Sequence, residues 1–285
     1  MVVVPALVRS GSGDLISDLA TSDFLIADNG IEQKLSLESV FDQPLALVIV
    51  MQTGGAAPPQ FQTYRTFQKL FSAMLAPSVA GIVANPTHPI ALITFDSRLQ
   101  QIWNFPPRID GVKASFARPD SGDHGAAVLD ALNGALALLE QQPPRFRRVV
   151  LLLSQSADQG SSTAADKVVQ RLARSNTTVY SMTFGPGADK VESSNLTRVA
   201  RAMQENTAAE AAFLSGGESV RLKNKDDLVR CLAILADDFH HAYVLHFRPD
   251  SPDSGFHSLS VRLAGKHSRE FRVAARSAYW VADAR

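Results

Sequence analysis

From residue 45 to residue 184, short apolar runs alternate with stretches whose apolar positions recur every three or four residues. Leu45 to Met51 is apolar throughout and short, the pattern of a strand buried on both faces of a parallel sheet. Phe61 to Leu75 places Tyr64, Phe67, Leu70, Phe71 and Met74 on one helix face. His88 to Phe95 and Leu99 to Phe105 flank Asp96-Ser97-Arg98, which predicts a hairpin and so one antiparallel edge strand. A Pro/Gly-rich loop is expected next. Ala126 to Leu139 then carries Val128, Ala131, Leu132, Ala135, Leu136 and Leu139 at helical spacing, and Val149 to Leu153 reads as a second buried strand. A helix with Ala165, Val168, Val169 and Leu172 leads into the strand Thr178 to Phe184, which Gly185-Pro186-Gly187 stops. Asn195 to Gln204 is a shorter helix. Lys225 to Phe239 closes the series with Leu228, Leu232, Leu235 and Phe239 on one stripe, behind the cap residue Asn224 and the first-turn acids Asp226 and Asp227. Alternation of this kind predicts a doubly wound, Rossmann-like α/β sandwich.

The two ends lack helical period. Val2 to Val8, Phe24 to Ala27 before Asp28-Asn29-Gly30, and Lys34 to Val40 read as short strands, as do Ala242 to Phe247, Ser258 to Leu263 and Glu270 to Tyr279. Three isolated strands bury too little to stand alone, so the ends are expected to pair into one small β-sandwich with the α/β unit inserted. The expected boundaries are 1–42 and 241–285 for the two halves of the sandwich and 43–240 for the α/β unit.

Composition narrows the function. With 28 basic and 28 acidic residues among 285, the chain has no net field to hold a polyanion, and no nucleic-acid role is expected. Arg145, Arg147 and Arg148 around Phe146 read as a solvated loop rather than a nucleic-acid patch. No apolar run reaches the roughly 20 residues of a membrane-spanning helix, and the start lacks an export signal's basic flank and length. The single cysteine, Cys231, excludes an internal disulfide and a cysteine-rich zinc site and is expected to be a small core residue.

In an open α/β sheet, ligands sit beyond the carboxyl ends of the strands, which directs attention to the residues after Met51, Phe95, Ser154 and Phe184. The arrangement there resembles a von Willebrand factor type A domain. That family's metal-ion-dependent adhesion site uses Asp-x-Ser-x-Ser after the first strand, a Thr before the central helix and an Asp after the fourth strand to hold Mg²⁺. Carried over, the first Asp falls on Met51 and the two Ser on Thr53 and Gly55. Gly125-Ala126-Ala127-Val128-Leu129-Asp130 puts Ala126 at the Thr, and Ser154-Gln155-Ser156 puts Gln155 at the Asp. Only Thr53 keeps a side-chain oxygen among the first three, and without both aspartates no charge offsets the dehydration of Mg²⁺. The expectation is a degenerate site with no metal and no cofactor.

The ends extend the likeness to a VWFA-related family abundant in acidobacteria. Its Asp-Phe-x-x-x-Glu-Asp-Gly-x-x-Gln preamble matches Asp23-Phe24 to Asp28-Asn29-Gly30 and Gln33. Its tail motif matches Tyr243, Leu245, Phe247 and Pro249, then Asp253, Gly255 and His257, then Arg276 and Tyr279, with an inserted Ser254 and with Ala278 for the final Gly. The resemblance implies an exported protein, periplasmic, cell-surface or secreted. It also implies a non-enzymatic module that binds a protein partner through its apical loops, with Thr53, Gly54, Gly55, Asp96, His124, Gln155 and Asp158 around the site.

Competing readings are weaker. Gly54-Gly55 is followed by Ala56-Ala57-Pro58-Pro59 rather than by a dinucleotide fingerprint. His240, His241, His246 and His257 lack metal-ligand spacing. Ser154, His124 and Asp96 lack the Gly-x-Ser-x-Gly elbow of a hydrolase. The alternative from another class is a scaffold or self-assembling subunit, a homo-oligomer joined through sandwich edge strands.

Overall fold

A computed structural model describes residues 1–38, 45–74, 89–105, 109–185, 195–249, 253–265 and 267–282. Val40, Leu75, His88, Pro186, Gly187 and the expected 42/43 boundary lie outside these, as do the side chains of Leu70, Phe71, Met74, Phe239 and His240.

The strands β1 (Val2–Ser10), β2 (Phe24–Asp28), β3 (Ile31–Gln33) and β4 (Leu35–Glu38) come first. The α/β unit follows as β5 (Leu45–Gln52), α1 (Phe61–Met74), β6 (Ile90–Phe95), β7 (Leu99–Trp103), α2 (Ile109–Ala117), α3 (Val128–Glu140) and β8 (Arg147–Gln155). It continues through α4 (Ala165–Arg174), β9 (Thr177–Phe184), α5 (Leu196–Glu205), α6 (Thr207–Ser215), β10 (Ser219–Arg221) and α7 (Lys225–His241). The chain closes with β11 (Tyr243–Phe247), β12 (Gly255–Leu263), the short α8 (His267–Glu270), β13 (Phe271–Ala275) and β14 (Ala278–Val281).

The central sheet runs β10-β9-β8-β5-β6-β7, parallel throughout except for β7. Its middle strands are buried on both faces, as their unbroken apolar runs require. Along β5 the side chains alternate. Ala46, Val48 and Val50 join the core under α3 and α4, while Leu47, Ile49 and Met51 join the opposite core with Tyr64 of α1 and Leu228 of α7. Asn224 caps α7 through the amides of Asp226 and Asp227, and Asp227 answers back to Asn224. Cys231 is buried in the second core, and that burial pushes its thiol up to about 12, the state of an inert core residue.

The strands from the two ends form two four-stranded antiparallel sheets, β13-β1-β11-β4 and β14-β12-β2-β3. They enclose a core that includes Val4, Phe24, Ile26, Tyr243 and Leu245. β1 lies between β11 and β13, so the first strand of the chain is held by two of the last. Asn29 and Gly30 turn β2 into β3 with φ of 47° and 84°, left-handed values that suit Asn and Gly in a tight hairpin.

Several elements depart from the sequence expectation, among them the short β3 and α8. α2 occupies part of the region expected to be loop, where Gly111 weakens the helical signal. α6 was not expected because Ala208, Ala211, Ala212 and Leu214 are all buried, which leaves no polar face to reveal the period; β10, three residues long, was not expected either. The expected strand from Glu270 to Tyr279 is instead β13 and β14, which belong to different sheets. Arg276 stands at the break. Its guanidinium is buried and donates to the carbonyls of Ala173 (2.7 Å) and Ala278 (2.9 Å) and to Asn176 Oδ1 (3.0 Å). It thereby caps the carboxyl end of α4, and burial lowers its pKa to about 10. The same crossing sends Ser277 N–H to Leu214 O and lays Trp280 4.9 Å beneath the Arg174 guanidinium.

Candidate functional site

The parallel strands β5, β6, β8 and β9 present their carboxyl ends at one edge of the sheet, called the apex below. The alternation along β5 decides which side chain stands there. Met51 lies in the core with Ile49 and Tyr64, so it is Gln52, not Met51, whose side chain reaches over the apex; the register read from sequence is one residue short. Gln52 is fully buried and completely engaged. Its Nε2 donates to Gly54 O (2.9 Å) and Gln155 Oε1 (3.0 Å), and its Oε1 accepts from Gln155 N (2.8 Å). Gln155 Nε2 in turn donates to Ala157 O, and Tyr64, whose phenol burial pushes upward, donates to Gln52 O. Two neutral amides thus bridge β5 and β8.

Thr53 turns away from the apex, since both its N–H and its hydroxyl donate to Phe95 O. Over Gly54 and Gly55 runs the segment from Gly122 to Gly125. Gly55 N–H donates to Asp123 O (2.8 Å) and Gly122 N–H to Thr53 O (3.1 Å). A Cβ on Gly54 would lie 2.5 Å from Asp96 Cβ and 2.6 Å from Asp123 O, so this close approach demands glycine. The Asp123 carboxylate accepts from Ser97 Oγ, Ser97 N and Gly125 N, and these bonds, that from the Ser97 hydroxyl foremost, hold it below the ordinary carboxylate range. Asp96 is buried and accepts from Gln100 Nε2 (2.6 Å), Arg98 N (3.1 Å) and Asp123 N (3.2 Å).

The amino end of α3 also faces the apex, and its amides are occupied. Asp158 accepts from Leu129 N (2.9 Å) and from both the N–H and the hydroxyl of Ser161, while Ser161 Oγ accepts from Asp130 N. Burial pushes the Asp130 carboxyl up, but bonds from Thr163 and Ser162 outweigh it and leave Asp130 below its usual value. Ala126 exchanges both backbone bonds with Gln159.

All seven candidate residues therefore border the apex or the edge around it, but they differ in what they present. Thr53, Gly54 and Asp96 are buried; Gly55, Gln155 and Asp158 are half-buried; His124 is exposed. Gln52, Ser97, Gly122 and Asp123 are part of the same construction and were not singled out from sequence. Gln52 was legible by counting alternate positions along β5, whereas the 122–125 crossing carries no periodic signal. Ser154, His124 and Asp96 do not assemble: the Ser154 hydroxyl is buried and donates to Gln155 O. The histidines disperse likewise. His246 pairs with Glu38 and His257 with Asp28, and among the described residues no three His, Cys, Asp or Glu side chains converge to hold a metal.

No protein-family model matches the sequence, and neither does any curated protein. Solved structures do match. A von Willebrand factor type A protein from Catenulispora acidiphila aligns with 94% of this chain and 76% of its own at 10% identity and a TM-score of 0.50. Proximal thread matrix protein 1 from the mussel byssus aligns over 75% of this chain and 51% of its own, at 12% identity and a TM-score of 0.49. The pilus adhesin SpaC from Lactobacillus rhamnosus GG aligns over 82% and 34%, at 11% identity and 0.47. The chain spans about half the length of the mussel protein and a third of the adhesin. At such identities the likeness is one of fold. Together with a parallel sheet edged by antiparallel β7, it identifies this chain as having the von Willebrand factor type A fold.

Proposed function

We propose that the chain is a non-enzymatic protein-binding module that engages its partner through the apical loops without a bridging metal ion. The observation that carries this reading is the Gln52–Gln155 pair. Mg²⁺ requires carboxylate or hydroxyl oxygens free to point at it, and here the two amides satisfy each other. Gly54 and Ala56, at the serine spacing counted from Gln52, have no side-chain oxygen, the neighbouring Thr53 hydroxyl donates to Phe95 O, and Ala126 has no side-chain oxygen either. The donor set does not fit the cation. What remains for a partner is a surface of Ala56, Gln155, Asp123 and His124, fixed from below by hydrogen bonds and so pre-organised for contact. Export, implied by the resemblance of the chain ends, agrees with such a role.

The test is a thermal unfolding scan in EDTA, then in millimolar Mg²⁺ or Mn²⁺, since a ligand of the folded state raises the midpoint. No shift is expected. A saturable rise would return metal-bridged adhesion as the function. In the second arm, Ala56→Asp and His124→Glu should abolish partner capture carried out in EDTA.

A second reading, self-assembly, is favoured by Ile31, which is 66% exposed on the edge strand β3. A sedimentation series over concentration separates the two, because association that survives the apical substitutions supports assembly.

A further inference from the structure

Beside the apex, on the side of the sheet covered by α1 and α2, lies a half-open cavity of about 710 Å³. That volume falls within the range of sites that enclose a small ligand or an anchoring side chain with its neighbours. Met51 and the Trp103 indole give it apolar walls, Thr94, Gln100 and Gln101 give it polar ones, and Asp120, Asp123 and Arg118 stand around it. Asp123 belongs both to this cavity and to the segment that crosses Gly54 and Gly55, so a chain lying on the apex reaches the cavity directly.

Charge fixes the kind of ligand. Asp96 lines the cavity and is only 3% exposed, yet its carboxylate accepts from one side-chain amide and two backbone N–H groups and, among the described residues, has no cationic partner. A carboxylate removed from water and balanced only by neutral donors favours a cation brought to it. With Asp120 and Asp123, three acidic residues line the cavity against the single basic residue Arg118, although the Asp123 carboxylate is itself taken up by Ser97 and Gly125. They do not converge on one point as metal ligands would, and among the described residues no three such groups do. The cation is therefore an extended organic one. Trp103, held by its Nε1–H to Ser115 Oγ at 3.1 Å, supplies a fixed indole beside which a planar cation can stack. Gln100 uses its Nε2 on Asp96, which leaves its Oε1 to accept from a guanidinium.

We infer that this cavity receives a basic side chain, an arginine, from the protein segment that contacts the apex. The inference rests on the proposed apical partner and deepens it by naming the partner's chemistry.

The probe is the peptide acetyl-Gly-Arg-Gly-amide, with its citrulline counterpart as the neutral isostere. Binding is read from Trp103 fluorescence in a Trp280→Phe background, since the chain has two tryptophans. The arginine peptide should give a saturable change and the citrulline peptide none. Asp120→Asn should weaken binding about threefold, Asp120→Glu should restore it, and Asp120→Lys should abolish it, with unfolding midpoints confirming that each variant is folded. Equal responses to both peptides, or no response to either, would overturn the inference. The peptide is measured with no partner present, so the two readings fail separately. A silent cavity with partner capture still lost in Ala56→Asp sinks the arginine site alone. Arginine binding alongside capture that ignores the apical substitutions sinks the apical reading.

Discussion

Among the described residues, two of the buried polar networks are built from opposite materials. At the apex, Gln52 and Gln155 bridge two strands as neutral amides. In the sandwich, Asp28 accepts from Tyr279 (2.7 Å) and lies 2.9 Å from His257 Nδ1, while His257 Nε2 meets Asp253 O at 2.6 Å. Next to that cluster, Arg276 drives a guanidinium with no acidic partner among the described residues into the seam with α4. The difference follows from what each place has to do. Asp28 is on β2, His257 on β12 and Tyr279 on β14, so the ionic cluster ties strands from opposite ends of the chain in one register. A charge there is costly to bury and costlier to strand, which makes mispairing expensive. The apex joins neighbours already aligned by the parallel ladder, and between β5 and β8 neutral amides suffice to close the gap with no charge on the bridging side chains.

The comparison breaks most sharply at Arg276. Arg276→Met would leave the carbonyls of Ala173 and Ala278 and the side chain of Asn176 without their donor, and a loss of roughly 3 kcal/mol in urea-induced unfolding is expected. Arg276→Lys should recover only part of it, because one ammonium cannot span acceptors that a planar fork reaches together. Asp28→Asn comes next, at about 2–3 kcal/mol, since it strands His257 and weakens the acceptor of Tyr279. A cost below about 1 kcal/mol for either would mean that the seam and the apex are energetically alike.

The sign of the pH dependence sharpens the same contrast. Burial pushes the His257 pKa down, but Asp253 O and the Asp28 carboxylate outweigh it, so the folded value lies above the ordinary one. A group raised on folding adds stability that is fully present below its unfolded pKa, about 6.5, and is lost as pH rises through the folded value. Urea midpoints should therefore fall as pH is raised from about 6.5, and His257→Gln should flatten that slope. The apical amides do not titrate and should contribute nothing to it.

The ionic cluster was partly legible in the sequence, the apical one less so. Asp28, His257, Arg276 and Tyr279 all fall in the motifs at the chain ends, but nothing in their spacing announces that three meet and the fourth caps a helix more than 100 residues away. The β/α alternation was legible because strands buried on both faces must be apolar throughout. α6 escaped for the converse reason, since a helix buried all round shows no stripe. At the apex, a one-residue slip moved attention from Gln52 to Met51, and with a period of two that slip exchanges the core face for the site face.

The mildest apical perturbation returns to that pair. Gln52→Leu keeps the bulk but orphans Gln155 N and Gly54 O, and an unfolding loss of about 1–2 kcal/mol is expected, smaller than either change in the seam. Gln52→Asp with Gln155→Asp asks a different question of the same place. Two carboxylates would replace amides that touch at 3.0 Å, and their repulsion should lower the unfolding midpoint in EDTA. Millimolar Mg²⁺ should restore part of that loss in the double variant, because the cation then finds the charge that offsets its dehydration. The same titration on the wild-type protein should move nothing. Recovery confined to the double variant assigns the metal independence of the apex to two side-chain amides, whereas no recovery in either protein assigns it to the crossing of residues 122–125 over Gly54, which leaves the ion no room.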